Sequence, residues 1–219
     1  ERGDEPRFNL VGPDITAQEL AGLLVPIKAR HVIVIDASSA SGGIVAPLSG
    51  PGRVVVTATK SGFERNAAKF GGFFVAALAQ PGADTDKDGR VSVLEAFAYA
   101  KREVARAYDK ENLLLTEHAV LDDDGDRKGT EDPKADSGDG VVASAIFFGP
   151  AGGAVVATTA DPELKALYAR RDSLERHVAE LRTAKGQMSE NAYQTELEAT
   201  LVDLATTNRA IREKEGKHP

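Results

Sequence analysis

Two short, almost wholly apolar runs rich in β-branched residues stand out along the chain, His31-Val32-Ile33-Val34-Ile35-Asp36 and Arg53-Val54-Val55-Val56-Thr57-Ala58-Thr59. Apolarity without alternation marks a strand covered on both faces, so the pair predicts neighbouring strands of a mainly parallel sheet flanked by helices. Ahead of them, Thr16-Ala17-Gln18-Glu19 has capping-box spacing, and Leu20, Leu23 and Leu24 follow at helical period. That pattern predicts a helix over 16–29, shortened or bent by Pro26. Further helices are predicted over 66–78, with Phe70, Phe73 and Phe74 on one face, and over 94–108, with Phe97, Ala100 and Val104 inward. Leu113-Leu114-Leu115 and the run 141–148 are additional strand candidates, and the segment between them, 122–139, is acidic.

From Asp161 the period changes. Leu164, Leu167, Leu174, Val178 and Leu181 fall at three- and four-residue spacing, and Tyr193, Leu197, Leu201, Leu204 and Ile211 do so after a break at Lys185-Gly186. Two amphipathic helices joined by a short turn predict an antiparallel helical hairpin. A stripe at this spacing reads as packing, not as a cofactor box. The expected organisation is an α/β domain over 1–150, a linker over 151–160 and the hairpin over 161–215. The polar opening Glu1-Arg2-Gly3-Asp4-Glu5-Pro6 runs into α/β patterning with no first strand to seed the sheet, so the domain is expected to begin upstream.

The residues 84–95 carry the most specific chemistry. Counting from Asp84, they place Asp86 at position three, Asp88 at five, Gly89 at six, Arg90 at seven, Val91 at eight, Ser92 at nine and Glu95 at twelve. This is the spacing of an EF-hand-type Ca²⁺ loop, in which short carboxylates at one, three and five, a carbonyl at seven, a hydroxyl or water at nine and a bidentate glutamate at twelve surround a hard ion. The predicted ligands are therefore Asp84, Asp86, Asp88, Arg90 through its carbonyl, Ser92 and Glu95. Gly89 permits the sharp turn and Val91 faces the core. No second complete loop is present, whereas sensor EF-hands come in pairs, so structural bracing is the expected role. Asp122-Asp123-Asp124-Gly125-Asp126-Arg127-Lys128-Gly129 is oxygen-rich but lacks the position-twelve glutamate; it reads equally as a second ion site or a solvated charge run.

Composition narrows the function classes. The 219 residues are 42% hydrophobic, which suits a folded chain, and the formal charge is 27 − 34 = −7, which disfavours nucleic acid or an anionic membrane surface as partner. With no cysteine, disulfides, thiolate metal sites and a cysteine nucleophile are all excluded. No apolar run approaches the ~18 residues of a membrane span. Zero cysteines, an acidic balance and an unpaired calcium loop fit a calcium-rich, extracytoplasmic setting, although a cytoplasmic protein can share all three.

The strand, small-residue loop and second strand, Val32-Ile33-Val34-Ile35-Asp36-Ala37-Ser38-Ser39-Ala40-Ser41-Gly42 followed by Val54-Val55-Val56-Thr57-Ala58-Thr59, resemble the core of the caspase-haemoglobinase fold. Legumain-type cysteine peptidases are the nearer relatives. In that family a strand ends in a catalytic cysteine, one further residue and then Ser-Gly; here Ser41-Gly42 matches and Ser39 stands where the cysteine would be. The resemblance implies that Glu64 lies in the segment shaping the specificity pocket, and that Thr116-Glu117-His118-Ala119-Val120-Leu121-Asp122-Asp123 is the later His-containing strand segment, with His118 structural. It covers about 8–148, and the family's catalytic His-Gly belongs to a strand before that span.

The expectation that follows is a calcium-binding, non-catalytic caspase- or legumain-like domain acting as a scaffold or interaction module, with the hairpin or the acidic loop contacting a protein partner. A peptidase-like hydrolase using Ser39 with an upstream histidine is the alternative, and a calcium sensor proper is a third.

Overall fold

In a computed structural model the described residues are 6–88, 90–148 and 161–216. They divide into two compact units, one taking Glu1–Thr85 and Val91–Ile146, the other Asp86–Arg90 and Phe147–Pro219. The predicted linker 151–160 and the turn glycine Gly89 fall outside the described residues.

The first unit is α/β. Strands β1 (Arg7–Phe8) and β2 (Ile15–Thr16) form a small antiparallel pair leading into α1 (Ala17–Leu24). Then come β3 (Val32–Asp36), a 3₁₀ turn (Ser41–Ile44), α2 (Val45–Leu48), β4 (Arg53–Thr57), α3 (Phe70–Ala77), β5 (Val91–Ser92), α4 (Val93–Lys110) and β6 (Val120–Asp122). The central sheet has the order β3-β4-β6; β3 and β4 run parallel, with Val34 opposite Val55, while β4 and β6 are antiparallel, with Val56 opposite Leu121. The sheet is thus mixed where a mainly parallel one is expected from the sequence.

Because strand side chains alternate, Val34, Val55 and Val120 share one face, and they pack there with Ala17, Ala21, Ile44, Val45 and Leu48. Val54, Val56 and Leu121, all fully buried, project to the other face. Helices α3 and α4 pack on each other through Phe70, whose ring lies 5.6 Å from Phe74 and 5.8 Å from Phe97. Each aromatic of this kind buries a large apolar area, and tilted or offset ring pairs add to that.

Helix ends explain where the predicted bounds shift. Thr16 and Glu19 form the expected capping box, and the helix stops at Leu24, just before Pro26. Helix α3 starts at Phe70, four residues later than predicted, because the Glu117 carboxylate accepts the N–H groups of Lys69 (2.9 Å) and Phe70 (2.8 Å) and so caps it from a distant segment. Helix α4 ends in a left-handed Asn112 (φ 52°), with Leu113 N–H donating to Tyr108 O (2.9 Å) and Asn112 N–H to Asp109 O (3.0 Å). This is a Schellman ending, and it takes the amide that a strand at Leu113 would need. The predicted strand 113–115 is absent; Leu113 and Leu114 are 53% and 85% exposed. The run 141–148 is likewise not one strand, since Ala143–Ala145 forms a 3₁₀ turn and only Phe147–Phe148 (β7) is extended.

In the second unit α5 (Pro162–Ala184) and α6 (Glu190–Lys214) pack on each other across a 3₁₀ turn at Lys185–Gln187. Asp161 and Ser189 cap the two helices. Tyr168, Val178, Leu181, Tyr193 and Ile211 are buried. On α6 the inward stripe also takes Thr200 and Thr207, whose hydroxyls donate to the carbonyls of Glu196 (2.7 Å) and Asp203 (2.8 Å), while Leu201 is 41% exposed. No helix among the described residues is long and apolar enough to cross a membrane.

Candidate metal centre

The 84–95 segment follows Ala83, which is fully buried, and takes in β5 and the first turn of α4. The side chains of Asp84, Asp86 and Asp88 each offer a carboxylate oxygen within 4.8 Å of the others. Lys87 adopts a left-handed conformation (φ 59°), Asp88 N–H donates to Asp86 Oδ1 (3.0 Å) and Arg90 N–H to Asp88 Oδ1 (2.8 Å). These short loops back onto aspartate oxygens curl the backbone around the triad. A Ca²⁺ shell, with oxygens at about 2.3–2.6 Å, spans about 5 Å, so the three oxygens are close enough to share one ion.

Ser92 and Glu95 do a different job. Ser92 Oγ accepts from Glu95 N–H (3.1 Å), the Glu95 Oε2 atom accepts from Ser92 N–H and Oγ (both 2.9 Å), and Oε1 accepts from Thr85 N–H (2.8 Å) and Oγ1 (2.9 Å). The capping box that starts α4 thus also closes the loop. Burial raises the Glu95 pKa, but the donors of Ser92 and Thr85 outweigh it, so its carboxyl titrates below the ordinary glutamate value and is held as an anion. Its carboxylate stands outside the cluster formed by the three aspartates. Of the six predicted ligands, then, three carboxylates converge and the glutamate is preset by hydrogen bonds.

Arg90 was read from the sequence only for its carbonyl. Its side chain, 11% exposed, pairs with Asp88 (3.1 Å) and with Glu175 of α5, and its guanidinium lies 3.6 Å from the Phe147 ring centroid. Burial disfavours its charge, yet Glu175 and Asp88 more than offset this and hold its pKa above the usual arginine value. On Lys87, the carbonyl accepts from Arg212 Nη1 (3.0 Å).

At the small-residue loop Ser39 is exposed, and among the described residues no histidine hydrogen-bonds to it. His118 Nδ1 lies 2.6 Å from Glu64 Oε1, and Glu64 also accepts from the amides of Lys60 (3.1 Å) and His118 (3.2 Å) while its carbonyl accepts from Ala40 N–H (2.7 Å). Ser41 Oγ and Thr59 Oγ1 are 3.2 Å apart, and Gly42 N–H donates to Thr59 Oγ1 (2.9 Å). A Cβ on Gly42 would fall 2.1 Å from Ser61 N and 2.2 Å from Lys60 C. The loop is therefore tied to the end of β4 by backbone packing.

A second acidic cluster joins Asp122, Asp124 and Asp139. The linear stretch 122–129 supplies two of its members; Asp139 escaped the sequence reading, because only the fold brings it back to the end of β6. Burial pushes the Asp139 pKa up to about 6, with the charges of Asp124 and Asp122 adding to it and the amides of Asp123 and Asp124 opposing. Burial raises Asp122 and Asp123 as well.

No protein-family model, no curated protein and no solved structure matches the chain.

Proposed function

We propose that the protein binds Ca²⁺ in the 84–95 loop and that the ion braces a non-catalytic α/β domain of caspase- or legumain-like descent, serving as a scaffold or interaction module. What carries this reading is the convergence of the Asp84, Asp86 and Asp88 carboxylates within 4.8 Å on a loop of EF-hand spacing. The Arg90 carbonyl and the Glu95 carboxylate would complete the shell, and Glu95 would exchange its Thr85 and Ser92 donors for the ion. The ion's charge would then screen three repelling anions. The non-catalytic part is supported by chemistry: a serine hydroxyl needs an adjacent base to act as a nucleophile, and among the described residues no histidine hydrogen-bonds to Ser39.

Calorimetric titration of the metal-stripped protein tests the first part. Asp84→Asn with Asp86→Asn removes two charges at positions outside the capping box, so helix α4 keeps its start. A saturable Ca²⁺ event that vanishes in this double variant is the expected result; an unchanged titration would overturn the assignment. Labelling of Ser39 by a serine-directed phosphonate, abolished by Ser39→Ala, would overturn the non-catalytic reading.

A further inference from the structure

Strand β6 ends at Asp122, Asp123 follows it, and the chain then turns through Asp124, Gly125 and Asp126. Asp123 reaches the 140–143 turn, accepting from Gly140 N–H on Oδ1 (2.9 Å) and from Ala143 N–H on Oδ2 (2.7 Å). Asp139 returns the contact, its Oδ1 accepting from the amides of Asp123 (3.0 Å) and Asp124 (3.4 Å). Gly140 makes the approach possible: at φ 104° its missing Cβ would fall 2.7 Å from Lys134 N and O, where no side chain fits. These reciprocal bonds fix a remote aspartate beside the strand end.

The outcome is three carboxylate oxygens, one each from Asp122, Asp124 and Asp139, within 4.8 Å of one another. Among the described residues no lysine or arginine forms an ion pair with any of the three. A second, independent observation concerns Asp122, which is fully buried. Its Oδ1 accepts from Ser49 Oγ (3.1 Å) and the Gly125 amide lies close enough to favour its anion, but its Oδ2 is buried and no donor reaches it in hydrogen-bond geometry. A buried, orphaned carboxylate oxygen inside a cluster of like charges is the arrangement that a bound cation resolves, by supplying both the missing partner and the countercharge.

We propose that Asp122, Asp124 and Asp139 form a second site for a hard divalent cation of the Ca²⁺ type, separate from the 84–95 loop. Exposed Asp124 gives the ion its entry from solvent, and buried Asp122 anchors the floor. Oxygens this close fit one Ca²⁺ shell of about 5 Å span, and water would fill the remaining positions. The site stands on its own geometry, whatever becomes of the loop.

The full chain carrying Asp84→Asn and Asp86→Asn isolates it. Titrated with CaCl₂, this protein is expected to keep one saturable event, and adding Asp124→Asn should weaken that event about tenfold or more. Adding Asp139→Asn as well should abolish it, while the amide oxygen can still accept from Asp123 and Asp124. Far-UV circular dichroism checks folding, and Asp124→Asn alone, at an exposed position, decides the matter if the combined variant is unfolded. No event in the loop-disabled protein, or an event indifferent to Asp124→Asn, would overturn the site. An equal response to Mg²⁺ alone would overturn the Ca²⁺ assignment.

Discussion

Arg90 serves the molecule through two parts of one residue. Its carbonyl is a candidate ligand, whereas its guanidinium is buried against Glu175, Asp88 and Phe147. Truncating one partner of a buried pair leaves the other charge uncompensated, which costs about 3–5 kcal/mol. Arg90→Ala should therefore lower the unfolding free energy measured in urea by about 3 kcal/mol, and a loss under about 1 kcal/mol would mean that the ion pair carries little. His31 gives a pH dependence. Burial, aided by the charge of Arg30, lowers its pKa below 6.5, and its Nδ1 is buried without a partner. The unfolded chain thus binds the proton more readily than the folded one, so this contribution is intact above pH 6.5 and is lost as pH falls from there through the depressed folded value. The urea midpoint of the natural chain should drop more between pH 7.5 and 5.5 than that of His31→Gln; equal drops would refute this.

Elements differ in how far the sequence exposes them, and the reason is the range of the interactions that set them. The capping box of Thr16 with Glu19 is local and was readable, as were β3, β4 and the hairpin; that of Ser92 with Glu95 has the same spacing, but the pair was read only as metal ligands. The start of α3 was not, because its cap comes from Glu117, 47 residues beyond Phe70. Nor was the ending of α4, where Asn112 diverts the Leu113 amide and turns an apolar triplet into exposed chain. On α6 the inward stripe hides two threonines, since a hydroxyl that donates to the carbonyl four residues back is polar in the sequence and satisfied in the helix. The convergence of Asp84, Asp86 and Asp88 was legible from spacing alone. Asp139 was not, because the Asp123 bonds that place it span 16 residues.

At the scale of the whole molecule, bracing and sensing predict different responses. An ion that binds only the folded state at 100 times its dissociation constant adds about 2.7 kcal/mol, which for a chain of this size raises the melting temperature by about 5–10 °C. Bracing predicts that rise with an unchanged small-angle scattering curve, since the three aspartate carboxylates already converge. A large change in scattering would identify a sensor. The contact at Gly42 also acts at this scale. Any substitution there by a residue with a side chain must push apart the backbone at 59–61, so folding alone demands glycine at this position. The glycine after Ser41 is thus accounted for by packing, whether or not chemistry ever stood beside it.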